Sequence, residues 1–127
     1  MYLKFKFSQM KRVAIPVVKG KLSEYFENCT YCEIFETEGD GVKSNETETP
    51  PADISKLPQW AIQHGVTDIV SHRLDRNIIK LFTKEKINLY LGIKIDTPEK
   101  LIESYLEGTL KSDEQIISEL TSEKGLI

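Results

Sequence analysis

"VTDIVSHRLDRNIIKLFTKEKINLYLG", residues 66–92, decides how the chain is built. Val66–Val70 is a short apolar run of the kind that makes a buried strand. From about Leu74 to Lys84, the residues Leu74, Ile78, Leu81 and Phe82 recur at helical spacing and give one apolar face. Ile87–Leu91 is apolar again and is closed by Gly92. Strand, helix and strand in immediate succession form a crossover unit, which puts the two strands parallel and turns right-handed. The junction Ser71-His72-Arg73-Leu74-Asp75 is polar and basic directly after a buried strand. Two readings fit it: an ordinary helix start capped by Asp75 or Ser71, or the lip of a binding site.

Working outward, "RVAIPVV" (12–18) reads as a strand ending at Gly20, although Pro16 cannot donate to a ladder. "TYCEIFETE" (30–38) alternates as a second strand. "GDG" (39–41) is a tight turn, and "VKSNETE" (42–48) is the polar return strand of a hairpin. Ser55 can cap a helix with Pro58 in its first turn. Leu57, Trp60 and Ala61 lie on its inner face and Gly65 at its end. Downstream, Thr97 caps a third helix, with Pro98 first, Leu101, Ile102, Tyr105 and Leu106 inside, and Gly108 as the stop. The order β-β-β-α-β-α-β-α predicts an α/β domain with a mixed five-stranded sheet and three helices. Trp60, Ile69, Leu81, Phe82 and Leu89 should be buried. This domain spans 11–109. An N-terminal extension (1–10) can add an edge strand. A C-terminal extension (110–127), with Ile116, Ile117 and Leu120, either packs as a short helix or stays loose.

Hydrophobic residues make up 39% and charged residues 29% of the 127-residue chain, the balance of a soluble globular protein. No apolar run approaches the ~20 residues that cross a bilayer. The N-terminus lacks the apolar core of a signal peptide. The expected location is the cytoplasm, with no membrane partner. The net charge of −3 is unevenly spread: residues 1–21 carry six basic and no acidic side chains, and residues 22–70 carry ten acidic and two basic. An acidic chain is poorly suited to neutralising the phosphates of nucleic acid. The basic segment 1–21 and the basic segment 71–86 can still meet and form a local anion site.

Enzyme signatures are missing. There is no Ser-His-Asp arrangement, glycine-rich phosphate loop or dinucleotide fingerprint. Two-metal nucleases need converging carboxylates, and "RVAIPVV" has none. No enzymatic activity is expected. Cys29 and Cys32 have C-x-x-C spacing but enter a strand, where residues three apart face opposite ways. Cys32 then reads as core and Cys29 as the freer thiol. Cys29, Cys32, His64 and His72 would supply four zinc ligands, but their spacing matches no compact zinc motif.

The stretches "KRVAIPV", "GKLSEYFENCTYCEIFE", "LPQWAIQHGVTDIV", "INLYLG" and "LIESYLEGTL" occur in an order and spacing that resembles the dinitrogenase iron–molybdenum cofactor biosynthesis accessory family, of the NifX and NafY type. The resemblance covers roughly residues 11–108. It implies a ribonuclease-H-like fold and the binding or carrying of iron–molybdenum cofactor or its precursors, and it makes Cys29 a candidate metal ligand, because cysteine is frequent there in the family. This chain differs in three places. Glu24-Tyr25-Phe26-Glu27 lacks the family's histidine, and Ser71–Asp75 replaces a glycine-rich turn. Lys86 stands where glycine is common, so this lysine either adopts a left-handed conformation, at about 1 kcal/mol, or the turn has another shape.

Ligands of open α/β sheets sit beyond the carboxyl ends of the parallel strands. Three loops should meet there: Lys19–Ser23, Ser71–Asp75 and Gly92–Lys94. The candidate ligand-binding residues are Lys19, Lys21, Ser23, Arg73 and Lys94, with His72 and Cys29 as candidate metal ligands. They suit a small non-enzymatic protein that binds an anionic metal–sulfur cluster, of iron–sulfur or iron–molybdenum type, or a similar small anion. The competing reading is a protein-interaction or regulatory module of the same fold that binds a protein partner and no cluster.

Overall fold

The computed structural model describes residues 10–121, so the expected edge strand within residues 1–9 lies outside the described residues. Six strands form one mixed sheet: β1 (Met10–Val18), β2 (Lys21–Leu22), β3 (Tyr31–Glu38), β4 (Gly41–Glu48), β5 (Asp68–Val70) and β6 (Asn88–Tyr90). The main path runs β4-β3-β1-β5-β6, with β2 paired to β1. β3 is antiparallel to β1 and β4, whereas β1, β5 and β6 are parallel. Four helices complete the described chain: α1 (Leu57–Gln63), α2 (Arg76–Lys84), α3 (Pro98–Glu107) and α4 (Glu114–Thr121). The counts therefore exceed the expected five strands and three helices.

The additional strand comes from a turn. Lys19 (φ 52°) and Gly20 (φ 79°) are both left-handed. Two such residues make the hairpin turn that matches strand twist. The chain folds back at once, pairing Val18 with Lys21 and Val17 with Leu22. Pro16 is accommodated in the sheet interior by the same local structure. Thr30 donates to the Val17 carbonyl on the β3 side. Pro16 therefore turns its missing N–H the other way, where β5 reaches only Val13 and Ala14 and Ser23 donates to the Pro16 carbonyl.

At β1 both sheet faces are buried, which accounts for its unbroken apolar run, whereas β4 at the edge is exposed. Ala14, Cys32, Ile34 and Ile69 pack on one face with Leu57 and Ala61 of α1 and Ile78 and Phe82 of α2. Val13, Ile15, Val17 and Val70 pack on the other with Leu101 and Ile102 of α3. Ile69 and Phe82 are buried as expected, but Leu81 is 40% exposed. The inward residues of α2 are Ile78 and Phe82, one turn apart and in line with Leu74 just before the helix, and Leu81 lies to one side of them. Trp60 and Leu89 are half-buried against the α1/α2 core rather than inside it.

Asp53, not Ser55, caps the turn that leads into α1, accepting from the Ser55 N–H at 3.0 Å. Thr97 caps α3 as expected. In the C-terminal extension, Asp113 caps α4. Ile116 is buried and Ile117 and Leu120 are half-buried, so the extension is packed as far as Leu120.

Candidate binding site at the strand ends

The three loops beyond β1, β5 and β6 are joined by backbone hydrogen bonds. Arg73 donates to the Glu24 carbonyl at 3.0 Å and Phe26 donates to the Arg73 carbonyl at 3.1 Å. Gly92 donates to the His72 carbonyl at 2.9 Å and Ile93 to the Ser71 carbonyl at 3.1 Å. Leu22 donates to the Asp96 carbonyl at 3.0 Å. The parallel order of β1, β5 and β6 forces their outgoing loops to one edge of the sheet, and these bonds hold them there.

The side chains differ in availability. Lys19, Lys21 and Lys94 are exposed. Ser23 is buried, and its hydroxyl donates to the Tyr25 carbonyl at 2.6 Å. His72 is 8% exposed, and its Nδ1 lies 2.8 Å from the Ile93 carbonyl oxygen. A carbonyl can only accept, so Nδ1 carries the proton. In the neutral ring, Nε2 is then the atom with a lone pair. A backbone carbonyl on the far nitrogen is also how metal-ligating histidines are usually oriented.

Arg73 is already occupied. Its Nη1 donates to the Glu119 carboxylate, its Nε is 3.9 Å from Glu24, and its guanidinium lies 5.6 Å from the centre of the Tyr25 ring. The Glu119 carboxylate raises the Arg73 pKa further. Asp75 accepts from the Asn77 and Ile78 N–H groups, so the helix-start reading of 71–75 holds for that residue.

Cys29 does not join this group. It ends a short turn (Phe26–Asn28) and lines a cavity of about 240 Å³ with Phe26, Pro50, Ile54 and Leu57, none of them among the other candidates. Its thiol contacts that of Cys32. The expectation that the two cysteines face apart fails because Cys29 precedes β3 and does not follow its alternation. The Cys32 thiol holds the Cys29 pKa below the ordinary value, while that hydrogen bond and burial push Cys32 up. His64 lies elsewhere, with Glu46 and Glu48, their potential ligand atoms within 4.8 Å of one another. Arg12 already pairs with Glu46 at 3.1 Å.

Sequence reasoning missed Glu24, Tyr25 and Glu119 as the groups around Arg73. Nothing local marks Glu119, which lies 46 residues away in sequence.

The family model described as dinitrogenase iron–molybdenum cofactor matches residues 10–108. The chain belongs to this family. The protein PH0822 has a solved structure that superposes with a TM-score of 0.77 at 26% identity, covering 84% of this chain and 97% of that one. MJ0327 of Methanocaldococcus jannaschii, described as a candidate dinitrogenase, gives 0.65 at 29% identity, over 82% and 94%. The apo form of the orange protein of Desulfovibrio gigas shares the fold, with 0.66 at 12% identity over 84% and 95%. No curated protein matches the chain. The family match ends at residue 108, before α4.

Proposed function

We propose that this family member is a non-catalytic carrier that binds an anionic metal–sulfur cluster of the iron–molybdenum type, or a similar small anion, at the strand-end loops. The observation that carries the reading is His72, nearly buried at the lip, with Nδ1 fixed on the Ile93 carbonyl and Nε2 left as the coordinating atom. Lys19, Lys21 and Lys94 surround the same edge of the sheet and supply positive charge for an anionic cargo. One imidazole ligand and several cations suit a cargo that must be held and handed on, whereas a closed four-ligand shell suits a permanent structural metal.

The sheet order supports reading the fold as ribonuclease-H-like, with the β3–β4 hairpin beside the parallel strands β1, β5 and β6. It carries no nuclease site in this reading. Asp68 is the buried carboxylate among the described residues, and it is held by Thr67 at 2.5 Å and Asn88 at 3.3 Å. A second reading, a protein-interaction module without a cluster, draws on the occupation of Arg73 by Glu119.

The test is an anaerobic titration of the wild type, His72→Ala and Arg73→Ala with extracted iron–molybdenum cofactor, followed by visible absorbance. The carrier reading expects His72→Ala to weaken binding at least tenfold. Arg73→Ala should weaken it less and lower its salt sensitivity, because only screened charge is lost. Absence of binding by the wild type, and by a Glu119→Gln protein in which Arg73 is no longer paired, leaves the interaction module as the reading.

A further inference from the structure

The segment that follows α3 lies directly across the loops that the carrier reading needs. Residues 111–113 run along the loop after β6: Lys94 donates to the Lys111 carbonyl at 2.9 Å, Ile93 bridges Ser112 in antiparallel fashion, and Asp113 donates to the Gly92 carbonyl at 2.6 Å. α4 then buries Ile116 and presses Ile117 onto Gly92. A Cβ at Gly92, whose φ is 66°, would stand 2.6 Å from Ile117 Cδ1, so the left-handed backbone and the close approach both favour glycine there. Two residues further on, Glu119 pairs with Arg73 through its carboxylate and accepts from Arg76 Nη2 through its carbonyl at 2.9 Å. The group in the Arg73 fork is thus a carboxylate, the charge type that an anionic cargo would bring.

We propose that α4 is a built-in competitor: Glu119 holds Arg73 in place of the anionic ligand, and cargo binding requires α4 to release Arg73 and lift from Gly92. The proposal rests on the carrier reading for its ligand and on the contacts of α4 for its mechanism. The apparent affinity of such a protein falls in proportion to the fraction of molecules in which the competitor is released. The ion pair is partly exposed, with side chains 26% and 45% accessible, so it is screened and reversible. The surrounding hydrogen bonds of residues 111–113 act as the hinge side and need not break.

The test uses full-length variants in the same anaerobic titration with extracted iron–molybdenum cofactor, together with hydrogen exchange of the α4 amides. Glu119→Gln removes the competing charge. Ile117→Ala removes the contact on Gly92 without altering the site loop, in which the Gly92 N–H holds the His72 carbonyl. Glu114→Gln removes an equal charge from the first turn of α4 and serves as the control. The proposal expects Glu119→Gln and Ile117→Ala each to bind about tenfold tighter than the wild type, with faster exchange at Gln115–Glu119. Glu114→Gln should match the wild type. Equal affinity in wild type, Glu119→Gln and Ile117→Ala would overturn the competitor while leaving the carrier reading intact. A gain by Glu114→Gln as large as that of Glu119→Gln would also overturn it, because bulk charge would then explain the effect. Absence of binding by every variant, with α4 shown by exchange to be released in Ile117→Ala, would overturn both readings.

Discussion

Lys86→Gly should raise the stability of the protein. Three helices end in the same way, with a left-handed residue at or just after the helix cap and two hydrogen bonds closing the end. At α1 these run from Gly65 to the Ile62 carbonyl and from Val66 to the Ala61 carbonyl. At α3 they run from Gly108 to Tyr105 and from Thr109 to Ser104. At α2 they run from Lys86 to Thr83 and from Ile87 to Phe82, and the left-handed residue is a lysine at φ 63°. The lysine conformation costs about 1–2 kcal/mol relative to glycine. Glycine gives back about 0.5–1 kcal/mol through its greater freedom in the unfolded chain. The side chain is exposed, so its removal costs little packing. The net gain is about 0.5–1 kcal/mol. With about 2.1 cal/mol/K per residue of unfolding entropy, this raises Tm by about 2–4 °C. Thermal denaturation followed by circular dichroism reads the change. Gly108→Ala is the mirror experiment, because a Cβ there meets no atom within 4 Å and only the backbone is tested. It should lose about 1 kcal/mol. A Lys86→Gly protein no more stable than the wild type, beside a destabilised Gly108→Ala, would refute the reasoning.

Phe82→Ala should cost about 3–5 kcal/mol in urea denaturation, whereas Leu81→Ala, at a 40% exposed position, should cost under about 1 kcal/mol. Similar losses at both would mean that α2 presents another face. Asp68→Ala should cost about 1.5–3 kcal/mol, since it removes a buried charged acceptor from the Thr67 hydroxyl and the Asn88 amide. A loss below about 1 kcal/mol would show that water replaces the carboxylate there. Iodoacetamide should alkylate Cys29 with a pH midpoint below the ordinary thiol value of about 8.5, because its lowered pKa populates the thiolate earlier, and Cys32 should stay unreactive. Cys32→Ala should move that midpoint upward by removing the largest cause of the shift; an unchanged midpoint would assign the shift to other groups.

Element order was legible because each element carries its own signal. The alternation of 30–38, the GDG turn, Thr97-Pro98 and Gly108 act within a few residues, and the structure places β3, the hairpin turn and α3 accordingly. The meeting of the loops after β1, β5 and β6 was legible too, because parallel order alone sends them to one edge. β2 was not, since a two-residue strand has no periodicity and depends on a lysine in a left-handed turn. Leu81 was assigned inward because three-residue and four-residue steps both suit a helix face, and only packing chose between them. The partners of Arg73 were invisible for a different reason: Glu119 reaches it through the docking of α4, a tertiary event without a local signature.

The most direct test of the account is where an iron-bearing cluster sits. Anaerobic two-dimensional amide NMR of the isotopically labelled protein, with and without extracted iron–molybdenum cofactor, would locate it through paramagnetic line broadening. The account predicts loss of signal at Lys19–Ser23, at Ser71–Arg73 and at Gly92–Lys94, the backbone segments that converge around His72, with the β3–β4 turn at Gly39–Gly41 unaffected. Broadening centred on the Glu46, Glu48 and His64 group, or no broadening anywhere, would contradict it.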